Sequence, residues 1–192
     1  MKKRISSLLM ALLLALSLVP ATVWAEDAPV NVSTFDELKA AVDAENSTIV
    51  LTADIDLTAS LLIDSATADI TIRSKEGKIF TLKRAEGFTS YAINVKDGGK
   101  LTLENITLDG NGKVVQSSYP FIYMRTTEVY KQTDSELRLK SGATIQNCVT
   151  KDNASPYGGA ICSAGSVYMY KGSAITNCSS QAGGAIYLSY TP

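Results

Sequence analysis

Along this chain, apolar and polar residues alternate in short bursts, and the bursts return at a fixed interval. Glu136-Leu137-Arg138-Leu139-Lys140 is echoed by Ser166-Val167-Tyr168-Met169-Tyr170, which sets Leu137 and Val167 30 residues apart. Ile145-Gln146-Asn147-Cys148 and Ile175-Thr176-Asn177-Cys178 have the same spacing. Gly158-Gly159-Ala160-Ile161 recurs 25 residues on as Gly183-Gly184-Ala185-Ile186. Alternation with a period of two marks a strand with one buried face, and glycine, asparagine and serine fill the gaps where strands end. Features that repeat in one order, with variation confined to the stretches between them, describe stacked units.

Each unit holds three short strands. Earlier ones fit with more drift: Tyr91–Val95, Leu101–Glu104 and Ile106–Leu108 make one coil, and Phe121–Met124 opens the next. Upstream, Thr48–Leu57, Leu61–Ile63, Asp69–Ile72 and Ile79–Leu82 supply the first turns. Three strands per turn, each with one inward face, predict an all-β right-handed parallel β-helix. A sandwich would want hairpin turns, and only Asp109-Gly110-Asn111-Gly112 resembles one. Thr34-Phe35-Asp36-Glu37 reads as a capping box, with Glu37 three residues after Thr34. Phe35, Leu38 and Val42 then mark one face of a short α-helix over about 34–44, placed to cover the first coil. The expected organisation is a leader over 1–25, an N-terminal cap over 26–47 and coils over 48–192. The last repeat breaks off partway, as in the N-terminal part of a longer protein.

Paired Gly-Gly-Ala-Ile and Ile-x-Asn-Cys segments resemble the repeats of bacterial right-handed β-helix surface proteins, among them polymorphic outer-membrane proteins and adhesin-like proteins. The resemblance implies a fold and an extracellular setting and carries over no catalytic residue. Pectate lyases, polygalacturonases and phage tailspikes share the fold, so fold alone does not choose a function.

The ends and the composition narrow the setting. Lys2, Lys3 and Arg4 precede an apolar stretch over 5–19, and Val23-Trp24-Ala25 offers small residues at the cleavage positions, the parts of a secretory signal peptide cut after Ala25. Removing that leader takes three basic charges and leaves 15 Lys+Arg against 19 Asp+Glu, a formal charge of −4. That balance argues against a nucleic-acid partner. The chain has no histidine, which excludes a Ser-His-Asp or Cys-His nucleophile within it. No cofactor and no metal is expected. A membrane enters only through export or through an anchor beyond Pro192, and nothing fixes the oligomeric state.

Candidate chemistry then lies on the outside of the coils. Glu104, Lys140 and Tyr170 are expected in one outward column, with Thr102, Arg138 and Tyr168 beside it. Tyrosine rings offer flat surfaces to a sugar, while arginine and glutamate hydrogen-bond its hydroxyls; the column reads first, however, as cross-strand pairing on a solvated sheet. The stretch from Lys113 to Ser135 departs furthest from the repeat and gathers Tyr119, Phe121, Tyr123, Arg125 and Tyr130. Excursions from a rigid coil are where solenoids put binding function, so Tyr119 and Tyr123 join the candidates. Asp54 and Asp56 share one strand face about 7 Å apart, a spacing known from inverting glycosidases, but read as solubilising charge. Gly158, Gly159, Gly183, Gly184, Asn147 and Asn177 are architectural, the asparagines as a stacked amide ladder. Cys148 and Cys178 stack about 4.8 Å apart, which leaves a disulfide and a pair of thiols both open. The expected function is a structural or adhesive module for polysaccharide or host-surface glycans; the alternative is the leading part of a polysaccharide lyase or glycoside hydrolase whose catalytic coils lie elsewhere.

Overall fold

The computed structural model describes residues 28–124, 134–151 and 157–189. A strand, β1 (Val30–Val32), leads into a helix, α1 (Phe35–Asp43), and every later strand belongs to a coil. The first coil is β2 (Thr48–Leu51), β3 (Ile55–Leu57) and β4 (Leu61–Ile63); the second is β5 (Asp69–Ser74), β6 (Phe80–Arg84) and β7 (Ile93–Val95). Then come β8 (Lys100–Glu104), β9 (Ile106–Asp109) and β10 (Ile122–Met124), followed by β11 (Glu136–Leu139), β12 (Thr144–Gln146) and β13 (Ile161–Ser163). The last described coil is β14 (Ser166–Met169), β15 (Ala174–Thr176) and β16 (Ile186–Leu188). Each strand pairs in parallel with its equivalent one coil away. Three sheets result: the first runs β1-β2-β5-β8-β11-β14, the second β3-β6-β9-β12-β15, the third β4-β7-β10-β13-β16. This is the right-handed parallel β-helix the repeat predicts.

Register explains the interval in the sequence. Leu137 faces Val167 and Ile145 faces Ile175, so one turn of about 30 residues returns each side chain to the same place. Inward positions stack like with like: Ile49, Ile72, Leu103 and Leu139 form one column with no solvent contact. Burying such a side chain contributes about 1.5–3 kcal/mol, so each coil is held mainly by the coil on either side.

The helix closes the first coil as expected. Thr34 Oγ1 accepts from the Glu37 N–H at 3.3 Å, and Glu37 Oε2 accepts from the Thr34 N–H at 3.2 Å, a reciprocal capping box. Leu38, Ala41 and Val42 are buried against the strands of the first coil, with Phe35 half-buried beside them. At the far end the inward side chains of the last described coil are less covered; Met169 is 48% and Leu188 64% exposed.

One inward residue breaks the apolar rule. Arg84 shares a column with Leu57 and is only 1% exposed. Its guanidinium donates to the carbonyls of Ser90 and Pro120 and lies over the rings of Phe88 and Phe121, 5.5 and 5.2 Å from their centroids. Burial lowers its pKa to about 10, a value at which it is still charged at neutral pH. Nε has no hydrogen-bond partner among the described residues. The corner between the second and third sheets is thus closed by an arginine held between two carbonyls and two aromatic faces.

Candidate functional site

A parallel β-helix presents its chemistry on the outer faces of its sheets, and the register assigns each outward side chain to one of them. On the first sheet, Thr71, Thr102, Arg138 and Tyr168 form one column, and Asp69, Lys100, Glu136 and Ser166 the column beside it. The neighbours alternate in sign, and they bind one another. Glu136 Oε2 lies 2.5 Å from Arg138 Nη2 and 3.0 Å from Arg138 Nε, a forked contact. The guanidinium also reaches over β8 to Asp69, 3.1 Å from Oδ1, and Lys100 Nζ approaches Glu136 Oε1 at 3.7 Å. Thr102, expected in an outward column, is in that column but covered at 3% exposure.

These contacts fix the protonation states. Burial lowers the Arg138 pKa, but hydrogen bonds to Glu136 and Asp69 outweigh it, and the net direction is up. The Arg138 guanidinium in turn holds the Glu136 carboxyl below its ordinary value. Arg138 is therefore a strut of the sheet surface, with its hydrogen-bonding edge turned to two carboxylates. Lys140 follows β11 in the step of Glu104 and is exposed. Tyr168 and Tyr170 project from β14 at 45% and 50% exposure.

Tyr119 and Tyr123 belong to a different face. Tyr123 is on β10, in an outward column of the third sheet between Asn94 and Cys162. Its ring stacks on Tyr91, centroids 5.6 Å apart and 11° from parallel. Tyr119 meets both edge-on, at 5.8 Å from Tyr91 and 6.5 Å from Tyr123. Sequence reading placed Tyr91 at the start of a strand, but the described strand starts at Ile93, which leaves Tyr91 in the segment before it. A second pair on the same side, Tyr157 and Tyr187, packs at 4.5 Å. The candidate residues thus divide between two faces: Arg138, Lys140, Tyr168 and Tyr170 on the first sheet, Tyr119 and Tyr123 on the third. Arg125 and Tyr130 lie outside the described residues. Phe121 is wholly buried in the core.

Other candidates resolve into architecture. Asp54 Oδ1 accepts the Thr81 N–H at 2.7 Å, so it caps the neighbouring strand, while Asp56 is exposed on β3. The Asp109–Gly112 segment is a turn: Asp109 Oδ1 accepts the Asn111 N–H at 2.7 Å, and Asn111 is left-handed at φ 55°. Asn147 and Asn177 hold left-handed backbone at φ 55° and 53°. The expected amide ladder gives way to a different bond, because Asn147 Nδ2 reaches Asp109 Oδ2 at 2.9 Å, one coil toward the N-terminus. Gly158 and Gly183 are left-handed at φ 72° and 64°, the conformation that favours glycine. Among the described residues no group of three or more Cys, Asp or Glu side chains is placed to hold a metal ion.

The model of the family described as "Putative pectate lyase-like adhesive domain" matches residues 29–158. The chain belongs to this family. No curated protein and no solved structure matches it. An adhesive or structural β-helix module is what the family and the coils together support. The adhesive domain, as matched, spans Tyr91, Tyr119, Tyr123 and Arg138 and stops short of Tyr168 and Tyr170.

Proposed function

We propose that this chain is an exported adhesive module that holds polysaccharide against the tyrosine cluster on its third sheet. The observation that carries the reading is the contact of Tyr91, Tyr119 and Tyr123, three rings from two successive coils gathered on one outward surface of a rigid stack. Rings already packed on one another lose little conformational freedom when a ligand arrives, so their apolar faces and phenolic hydroxyls meet a sugar at low entropic cost. Tyr119, 38% exposed, is the accessible member. The basic, apolar leader over 1–25 supports export, and the family's adhesive description supports attachment to a surface.

The engagement of Arg138 weighs against the lyase alternative for these coils. A lyase-type base must give up its proton, and carboxylate partners push the Arg138 pKa the wrong way.

The test is retention of the chain from Glu26 onward on a panel of immobilised polysaccharides. Wild type is expected to be held, Tyr119→Ala to lose at least tenfold in retention, and the Tyr168→Ala, Tyr170→Ala double variant to behave as wild type. Loss confined to the double variant would move the site to the first sheet, and a folded protein held by nothing would end the glycan reading. Export is checked separately by N-terminal sequencing of secreted protein, which should begin at Glu26.

A further inference from the structure

We propose that Cys148 and Cys178 form a redox site at which an oxidised small-molecule disulfide closes a bond between the last two described coils. The pair is bracketed by register. Gln146 faces Thr176 just before the two cysteines, and Val149 bridges Ser179 just after them. Equivalent positions on neighbouring coils are about 4.8 Å apart, inside the Cα range of about 4.4–6.8 Å that a disulfide spans. Each cysteine follows an asparagine in the same left-handed conformation, so both side chains leave equivalent turns, and each thiol donates to the carbonyl two residues before it, Cys148 to Gln146 at 3.3 Å and Cys178 to Thr176 at 3.2 Å. The Ser179 N–H donates to the Cys148 carbonyl at 2.9 Å, which fixes the distance between the two turns. Space for the inner sulfur comes from Gly110, where a Cβ would come within 2.9 Å of Cys148 Sγ.

The two thiols are unequal in the way exchange chemistry requires. Cys178 is half-buried, and the neighbouring Cys148 thiol lowers its pKa to about 7, so much of it is thiolate at neutral pH. Cys148 is buried, and the neighbouring Cys178 together with burial keeps it a thiol; Arg84 pulls the other way and Asp109 reinforces it. The Cys178 thiolate attacks one sulfur of the oxidant, RSSR, and expels RS⁻ to give a mixed disulfide. Cys148 then attacks Cys178 Sγ, its proton leaving with the departing thiolate. One S–S bond breaks and one forms, two electrons pass from the protein to RSSR, and two RSH are released. The product clips β15 to β12 across a 30-residue span of chain. It lies on the second sheet and requires neither export nor glycan binding, so it stands or falls apart from the adhesive reading.

The experiment treats purified, folded protein at pH 7.5 with glutathione disulfide, quenches with acid, and maps the peptides by mass spectrometry. In wild type the Cys148 and Cys178 peptides are expected to be joined. Melting temperature should rise by roughly 5–10 °C on oxidation and fall back on reduction. Cys148→Ser is expected to stop at glutathione attached to Cys178, because the resolving thiol is gone. Cys178→Ser should leave Cys148 unmodified. Wild type that accumulates the mixed disulfide at Cys178, couples Cys178 to a second molecule, or does not react would overturn the proposal, and none of these outcomes depends on how well the variants fold.

Discussion

Gly159 and Gly184 occupy the same place in successive Gly-Gly-Ala-Ile segments, yet the β-helix predicts opposite tolerance to a methyl group. Neither needs a left-handed backbone, so conformation does not separate them. Surroundings do. A Cβ on Gly159 would stand 2.4 Å from the Gly184 carbonyl oxygen and 2.8 Å from those of Cys148 and Ser179. All three oxygens hold the stack together: they accept from the N–H groups of Gly159, Ser179 and Thr150 at 2.8, 2.9 and 3.0 Å. Making room for the methyl therefore displaces backbone and lengthens inter-coil hydrogen bonds, each worth about 0.5–1.5 kcal/mol net. Overpacking typically costs 1–3 kcal/mol, and rigid backbone neighbours put Gly159→Ala at about 3 kcal/mol. On Gly184 the nearest atom to the new Cβ is the Cys178 carbonyl oxygen at 3.7 Å, an ordinary contact. Gly184→Ala should change stability by less than about 0.5 kcal/mol. Urea unfolding followed by circular dichroism reads the difference. With a slope of about 2 kcal/mol per molar urea, the Gly159→Ala midpoint falls by about 1.5 M while that of Gly184→Ala stays within about 0.3 M. Equal midpoints for the two variants would refute the stacking geometry from which the difference was worked.

Four other outcomes test further parts of the molecule. Arg138→Ala should raise the Glu136 titration midpoint measured by NMR, because it removes the hydrogen bond that lowers that carboxyl. Thr34→Ala should cost about 1 kcal/mol in urea unfolding through loss of the helix cap. At the other half of that cap, the Ser33 N–H is the main cause holding the Glu37 carboxyl below its ordinary 4.5. A depressed carboxylate stabilises the fold above its unfolded pKa and loses that contribution as pH falls through the folded value, so the gap between wild type and Glu37→Gln should be present at pH 7 and shrink as the pH falls below 4.5. In the core, Arg84→Ala should lose about 3 kcal/mol by opening a void between Phe88 and Phe121, and Arg84→Met, which keeps the volume, should lose less.

The strands and their phase were legible in the sequence because the inward face repeats: Leu137 and Val167, or Ile145 and Ile175, occupy one chemical environment and must be alike. Outward residues are not bound by that demand, and here reading by repeat gave positions without partners. The column Thr102, Arg138, Tyr168 was placed correctly. That Arg138 spends its guanidinium on Asp69, 69 residues earlier and two strands away, has no local signature. Tyr91 looked like the first residue of a strand, and only its ring contacts with Tyr119 and Tyr123 mark it as part of a surface. Arg84 sits in a phase the repeat reserves for apolar residues, and its solution depends on Ser90 and Pro120 from two different turns. Asn147 was read as stacking on its own kind, but Asp109 lay nearer to its amide and, as a carboxylate, is the stronger acceptor.

The most direct test of the adhesive account is a calorimetric titration of the best-retained polysaccharide fragment into wild type, Tyr119→Ala and the Tyr168→Ala, Tyr170→Ala double variant. The account predicts saturable binding by wild type and the double variant with equal affinity, and at least tenfold weaker binding by Tyr119→Ala that still melts as a folded protein. Equal affinity in all three, or no heat from any of them, would contradict it.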